Sequence, residues 1–247
     1  MKVTLFDFQR TALHPLRDKI VAARKFASTD NPQAIAFSAP TGSGKTIIMT
    51  ALFEAILDQP DDELTWPLDW APQPDAVILW ISDMPELNEQ TKLKIESKSD
   101  KVYRVNQLIT IDAHFDAPRL DGGRIYFINT QKLAVNQPLT NRGDSREHLI
   151  WETLTNTARA IPDRFYVVID EAQNCTYTQI KMLLTRLGWR STMVLTGDPD
   201  QTDLLPGISG LAEIASRLER VPDIPVVRLA EGDIVRHPLV ASMLTVL

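Results

Sequence analysis

Between an apolar run at Ala34–Ala39 and a helical pattern at Lys45–Leu57 stand Ala39-Pro40-Thr41-Gly42-Ser43-Gly44-Lys45-Thr46. A strand that passes through a glycine-rich turn straight into a helix leaves few folds open. The glycines Gly42 and Gly44 let backbone N–H groups turn inward and cradle phosphate oxygens, with Pro40, Thr41 and Ser43 completing the loop. Lys45 reaches the β- and γ-phosphates, and Thr46 places its hydroxyl on Mg²⁺. The positive end of the helix that begins here faces the same phosphates. An ATP site with Mg²⁺ is the expectation.

The rest of the chain supplies the scaffold that such a loop needs. Apolar β-rich runs at Val77–Ile81, Gln107–Ile111, Arg124–Ile128, Phe165–Ile169, Thr192–Thr196 and Val226–Leu229 alternate with helical patterns. The helices are expected at about Glu86–Ser97, Arg146–Ala160, Tyr177–Leu187, Leu211–Leu218 and His237–Val246, after an amphipathic one that begins at Phe8-Gln9. Continuous apolar strands separated by helices mean a mostly parallel sheet covered on both faces. The fold class is therefore α/β, a single RecA-like P-loop NTPase domain over 1–247. Asp58–Asp75, Ala113–Gly123 and Asn136–Ser145 read as loops, the first of them rich in proline and acid and carrying Trp66 and Trp70.

A second chemical signal closes the strand at Phe165–Ile169. Asp170 and Glu171 follow it directly, where the carboxyl edge of a parallel sheet faces the ligand crevice. Asp170 would hold the metal, and Glu171 would polarise the attacking water as general base. Acids after a strand also serve as helix N-caps. A third signal, Thr196-Gly197-Asp198-Pro199-Asp200-Gln201, follows the next strand. The Gln201 amide can donate to a γ-phosphate and accept from water, although Gly-Asp-Pro is equally good turn chemistry.

Two positions stay open between a catalytic and a structural role. Arg236, in Asp233-Ile234-Val235-Arg236-His237-Pro238, is a candidate to neutralise transition-state charge in its own subunit or a neighbour's. It would serve as well at the start of a surface helix, and His237 reads as structural. Gln9 could pair with the N6/N7 face of adenine or simply sit on a helix surface. Arg186 and Arg190 could touch nucleic acid or phosphate, and read first as a solvated face.

Charge and cysteine content narrow the setting. The net charge is −6, so any nucleic-acid contact is a local patch rather than a basic surface. Cys175 is the one cysteine, which excludes an intramolecular disulfide and four-cysteine zinc sites and fits a reducing cytoplasm. No run approaches the roughly 18 apolar residues of a membrane span, and Met1–Arg10 carries no secretory h-region.

The segment from Phe8-Gln9 through Ala39–Thr46 resembles the first motor domain of superfamily 2 helicases, most closely the helicase-like Res subunit of type III restriction enzymes. Leu79-Trp80-Ile81-Ser82, Leu87-Asn88-Glu89-Gln90-Thr91 and Phe127-Ile128-Asn129-Thr130-Gln131-Lys132-Leu133 continue the likeness. It implies that Gln9 reads adenine and that Val77–Thr91 tracks a nucleic-acid strand. From about Phe165 the likeness changes. Asp170-Glu171-Ala172-Gln173-Asn174, Gln179–Gly188, Thr196-Gly197-Asp198 with Gln201, and Asp233–Val240 resemble PhoH-like ATPases associated with RNA. That likeness implies Gln201 as γ-phosphate sensor and supports Arg236. The chain reads as a hybrid, with a helicase-like half at 1–164 and a PhoH-like half at 165–247. A superfamily 2 protein would carry histidine or aspartate at Gln173 and a Ser-Ala-Thr motif in place of Thr-Gly-Asp.

The sequence therefore points to an Mg²⁺-dependent ATPase coupled to single-stranded RNA or DNA. A ring of identical subunits would supply Arg236 in trans, since arginine fingers in superfamily 2 come from a second motor domain. The competing reading is an ATP-binding interaction module of a toxin–antitoxin or restriction system with little turnover. A small-molecule kinase is disfavoured by the helicase-like spacings.

Overall fold

A computed structural model describes residues 1–26, 33–40, 42–60, 66, 70–102, 106–143, 146–161, 163–187, 191–198 and 226–229. Thr41, Arg190, Gln201, Arg236 and His237 lie outside them, as do the helices expected at 211–218 and 237–246. The order is α1 (Asp7–Phe26), β1 (Gln33–Ser38), α2 (Lys45–Leu57), β2 (Val77–Ser82), α3 (Pro85–Lys98), β3 (Leu108–Thr110), β4 (Arg124–Asn129), α4 (Ile150–Ala160), β5 (Phe165–Ile169), α5 (Tyr177–Leu187), β6 (Thr192–Gly197) and β7 (Val226–Arg228). Short 3₁₀ turns follow β4 at Thr130–Leu133 and β5 at Ala172–Asn174.

The strands form one seven-stranded sheet in the order β3-β4-β2-β5-β6-β1-β7. Each described pairing is parallel. Strands β2 and β5 are buried along their whole length, as apolar strands covered on both faces must be. Alternate side chains go to opposite faces. Ile35, Phe37, Ile78, Trp80, Phe127 and Val168 pack with Leu13, Leu16, Ile48, Leu52 and Ile56 of α1 and α2. Leu79, Ile81, Tyr126, Val167 and Leu195 pack with Ile150, Leu154, Ile180 and Leu183 of α4 and α5. Helix α2 is apolar on nearly every side and correspondingly buried on nearly every side.

The segments before and after residue 165 interleave. Strand β5 pairs with β2 in the register Val77↔Phe165, and β1 lies between β6 and β7 in the registers Gln33↔Thr192 and Ala36↔Val226. The sheet is continuous across the join, which a shared site at its edge requires.

One helix start moves. Helix α4 starts at Ile150 rather than Arg146. The amides of Glu147 and His148 donate to Asp116 at 2.8 and 2.9 Å, and Glu152 accepts from the Leu149 amide at 2.9 Å. Those bonds hold the backbone outside the helix. The proline-rich stretch after α2 contributes to the core. Trp66 and Trp70 are buried with ring centroids 4.8 Å apart. The Trp70 indole N–H donates to the Ala55 carbonyl at 2.6 Å, and the Arg24 guanidinium stands 4.5 Å over its ring.

Candidate nucleotide site

The loop from β1 into α2 is held from three sides. The Ala39 amide donates to the Gly197 carbonyl of β6 at 3.1 Å, and the Ser43 amide to Pro40 at 3.1 Å. Gly44 caps α2 with φ 82°, and Gly42 has φ 88°, both in the region that disfavours side chains. From α1, the Gln9 amide nitrogen donates to the Ser43 carbonyl at 3.2 Å, while its oxygen accepts from the Phe6 amide at 3.1 Å. A Cβ at Gly44 would stand 2.5 Å from that Gln9 nitrogen. The buried Gln9 side chain thus ties the start of α1 to the loop, in a position the sequence motif alone did not convey.

The loop also presents two buried polar groups that make no hydrogen bond, Lys45 Nζ and Ser43 Oγ. A buried ammonium without hydrogen bonds is costly, and phosphate oxygens would satisfy both groups. Glu171 Oε1 lies 3.2 Å from Lys45 Nζ as an ion pair.

Strand β5 delivers the two acids. The Asp170 amide donates to the Ile81 carbonyl of β2 at 2.8 Å. Asp170 Oδ1 accepts from the Thr196 hydroxyl of β6 at 2.7 Å. Burial, reinforced by the neighbouring Glu171 charge, pushes the Asp170 carboxyl up to about 6; the Thr196 bond and Lys45 oppose the shift. A divalent cation would reverse that balance, because its charge is the largest in such a site. Glu171 adopts φ 50°, ψ 43°, a left-handed backbone rare for a non-glycine residue. Its carboxylate accepts from the Gln173 amide as well as facing Lys45.

Among the described residues no group of three or more His, Cys, Asp and Glu side chains could cage a metal. One carboxylate and one hydroxyl suit Mg²⁺, which keeps waters and takes its remaining ligands from phosphates. Asp170 and Thr46 are the residues present for that role. Thr46 is half-buried one residue into α2, and its carbonyl accepts from the Thr50 hydroxyl at 2.6 Å.

The structure therefore gathers Gln9, Ser43, Gly44, Lys45, Asp170 and Glu171 at the carboxyl edge of β1 and β5. It adds Thr196 and Gln173. Thr196 was legible as part of a strand-end motif. Gln173 was legible only as the departure from the histidine or aspartate of superfamily 2, with no role attached.

The comparisons with known proteins concern the family and the fold. The model for the type III restriction enzyme res subunit matches residues 2–199. The chain belongs to this family. The PhoH-like protein model matches residues 158–247, so the res-subunit and PhoH matches overlap through β5 and β6. A PhoH-like protein of Bacillus subtilis is 49% identical over 83 residues, which are 33% of this chain and 26% of that protein. Protein PhoH of Escherichia coli is 45% identical over 74 residues, 30% of this chain and 21% of that one. These alignments thus span about a quarter of each relative. Among solved structures, a nuclease-deletion mutant of the type ISP restriction-modification enzyme LlaGI, in complex with a DNA substrate mimic, superposes with a TM-score of 0.53. The identity is 15%, covering 98% of this chain and 22% of that one. The res-subunit family membership and the parallel sheet establish a RecA-like α/β fold of helicase type. No described helix is long and apolar enough to cross a membrane.

Proposed function

We propose that this chain binds ATP with Mg²⁺ and hydrolyses it, and that single-stranded RNA or DNA stimulates the reaction. The observation that carries the reading is the buried, hydrogen-bond-free Lys45 ammonium at a positive-φ glycine loop, 3.2 Å from the strand-end acid Glu171. In this reading the loop 40–46 cradles the phosphates. Lys45 neutralises the β- and γ-oxygens and Glu171 orients the attacking water. Thr46 and Asp170 are the residues that would hold Mg²⁺, which would supply positive charge beside the phosphates. Gln9 offers its amide to adenine by exchanging one of its present bonds. Gln201 senses the γ-phosphate and Arg236 supplies positive charge from a neighbouring copy in a ring. The whole chain works as one ATPase domain in the cytoplasm. Support for the nucleic-acid partner comes from the helicase-type fold and from the DNA substrate mimic held by the LlaGI structure.

The test is Mg²⁺-dependent ATPase rate with and without single-stranded RNA and DNA, alongside mass in solution. Turnover that rises with either polymer supports the coupling. Nucleotide binding without turnover would favour the second reading, an ATP-binding interaction module of a toxin–antitoxin or restriction system. The engagement of Glu171 by both Lys45 and Gln173 is the observation on its side.

A further inference from the structure

Gln173 stands in the 3₁₀ turn directly after the acid pair and is 3% exposed. Its side-chain amide is engaged at both ends. The nitrogen donates to Glu171 Oε2, and the oxygen accepts from the Asp198 backbone amide, just past β6, at 3.1 Å. The turn is itself fixed, because the Asn174 amide donates to the Glu171 carbonyl at 2.9 Å and the Cys175 amide to Ala172 at 3.1 Å.

This arrangement divides the two oxygens of Glu171 between two partners. Oε1 faces Lys45 and Oε2 faces Gln173. Phosphates entering the loop draw Lys45 toward themselves. The Gln173 bond then becomes the one that keeps the carboxylate aimed. A neutral amide is suited to the task, since it donates to an ionised carboxylate without adding charge beside the phosphates. Glu171 sits on a left-handed backbone that survives only where its surroundings over-determine it. A side chain on such a backbone needs an external guide.

We infer that Gln173 is a positioning residue: its amide orients the Glu171 carboxylate for water activation and ties that orientation to the backbone at Asp198. The inference rests on the ATPase reading of the site. It goes further in assigning a role to a residue that acts through Glu171.

The experiment separates the two ends of the amide. Gln173→Glu keeps an acceptor for the Asp198 amide but loses the donor to Glu171, while Gln173→Met loses both. Both variants should lower kcat by about 10–10²-fold, a share of the roughly 10²–10⁴-fold that a general base contributes. KM and the affinity for a non-hydrolysable ATP analogue should change by less than about threefold, because ground-state binding is intact. Placed on Glu171→Gln, Gln173→Met should cost almost nothing more in kcat, since residues acting as one unit are non-additive. The double variant Glu171→Gln/Gln173→Glu re-forms the bond with its polarity reversed. It should regain thermal stability relative to Gln173→Glu and regain no turnover. Equal, additive losses in the two backgrounds would overturn the role, as would a loss confined to KM. Wild-type kcat in Gln173→Met would overturn it too. Absence of turnover in the unsubstituted chain removes the ATPase reading and this role with it, an outcome distinct from any of these.

Discussion

Lys45 and Glu171 meet as a pair, with Nζ and Oε1 3.2 Å apart at the edge where β1 and β5 end. The cation that should hold phosphate and the acid that should activate water neutralise each other until nucleotide arrives. Lys45→Ala is expected to abolish ATP hydrolysis and weaken ATP binding. Glu171→Gln should keep ATP binding, or tighten it by removing a competitor for Lys45, while kcat falls by about 10²–10⁴-fold. Titration with a fluorescent ATP analogue and steady-state phosphate release read the two effects separately. Weaker binding in Glu171→Gln would contradict the competition.

Gly44 gives a second test, of the loop rather than of its charges. Its φ of 82° strains any side chain, and a Cβ would press on the Gln9 amide at 2.5 Å. Gly44→Ala should therefore destabilise the fold by about 1–2 kcal/mol from the backbone alone. It should also break the Gln9–Ser43 bond, so analogue affinity should fall. Gly143, which has nothing within 4 Å of its Cβ position, is the control, and Gly143→Ala should leave both quantities unchanged. Chemical denaturation of the two variants decides the matter.

Thr196→Val removes the hydroxyl that donates to Asp170 while keeping the shape of the side chain. Without that bond Asp170 holds its charge less well, so cation binding should weaken. The Mg²⁺ concentration for half-maximal ATPase should rise severalfold while saturating kcat changes little. An unchanged Mg²⁺ titration would separate Asp170 from the cation.

Alkaline pH tests the core behind the site. Burial pushes the Cys175 thiol from 9.0 up to about 12, with the Asp83 and Asp170 charges adding to it. Burial also pushes the Tyr166 hydroxyl from 10.0 to about 12 against the opposing Arg24 charge. Both are acids whose folded forms keep their protons longer than the unfolded chain does. Their contribution is thus complete below pH 9 and is lost as pH rises toward 12, by up to about 1.4 kcal/mol per pH unit for each group. Urea unfolding at pH 8 to 11 should show this decline, with a shallower slope in Tyr166→Phe. A slope identical in that variant would exonerate Tyr166.

Residue type made part of this structure legible. Strand β5 and helices α2 and α5 have the bounds that their apolar patterns imply. The loop glycines, Lys45 and the acid pair follow from local chemistry. Trp66 and Trp70 were hidden because prolines and acids surround them, and burial depends on Ala55 and Arg24, which a linear reading does not pair with them. The start of α4 was misplaced because Asp116, distant in sequence, takes the amides of Glu147 and His148. The left-handed backbone of Glu171 has no sequence signature, since glutamate carries no preference for it. Gln173 was visible as a departure from the superfamily 2 pattern, while its bond to Asp198 forms only when β5 and β6 align.

The position of β1 between β6 and β7 also governs how the chain is made. The strand that feeds the phosphate loop leaves the ribosome well before its partners, which begin at Thr192 and Val226. Until they emerge, both of its edges are unpaired, and a nascent strand with open edges invites wrong pairings. Such distant pairing raises contact order and slows folding. A ribosome-bound fragment ending before Thr192 should therefore depend on chaperones and resist isolation, and the two sequence halves should fail to fold as separate pieces.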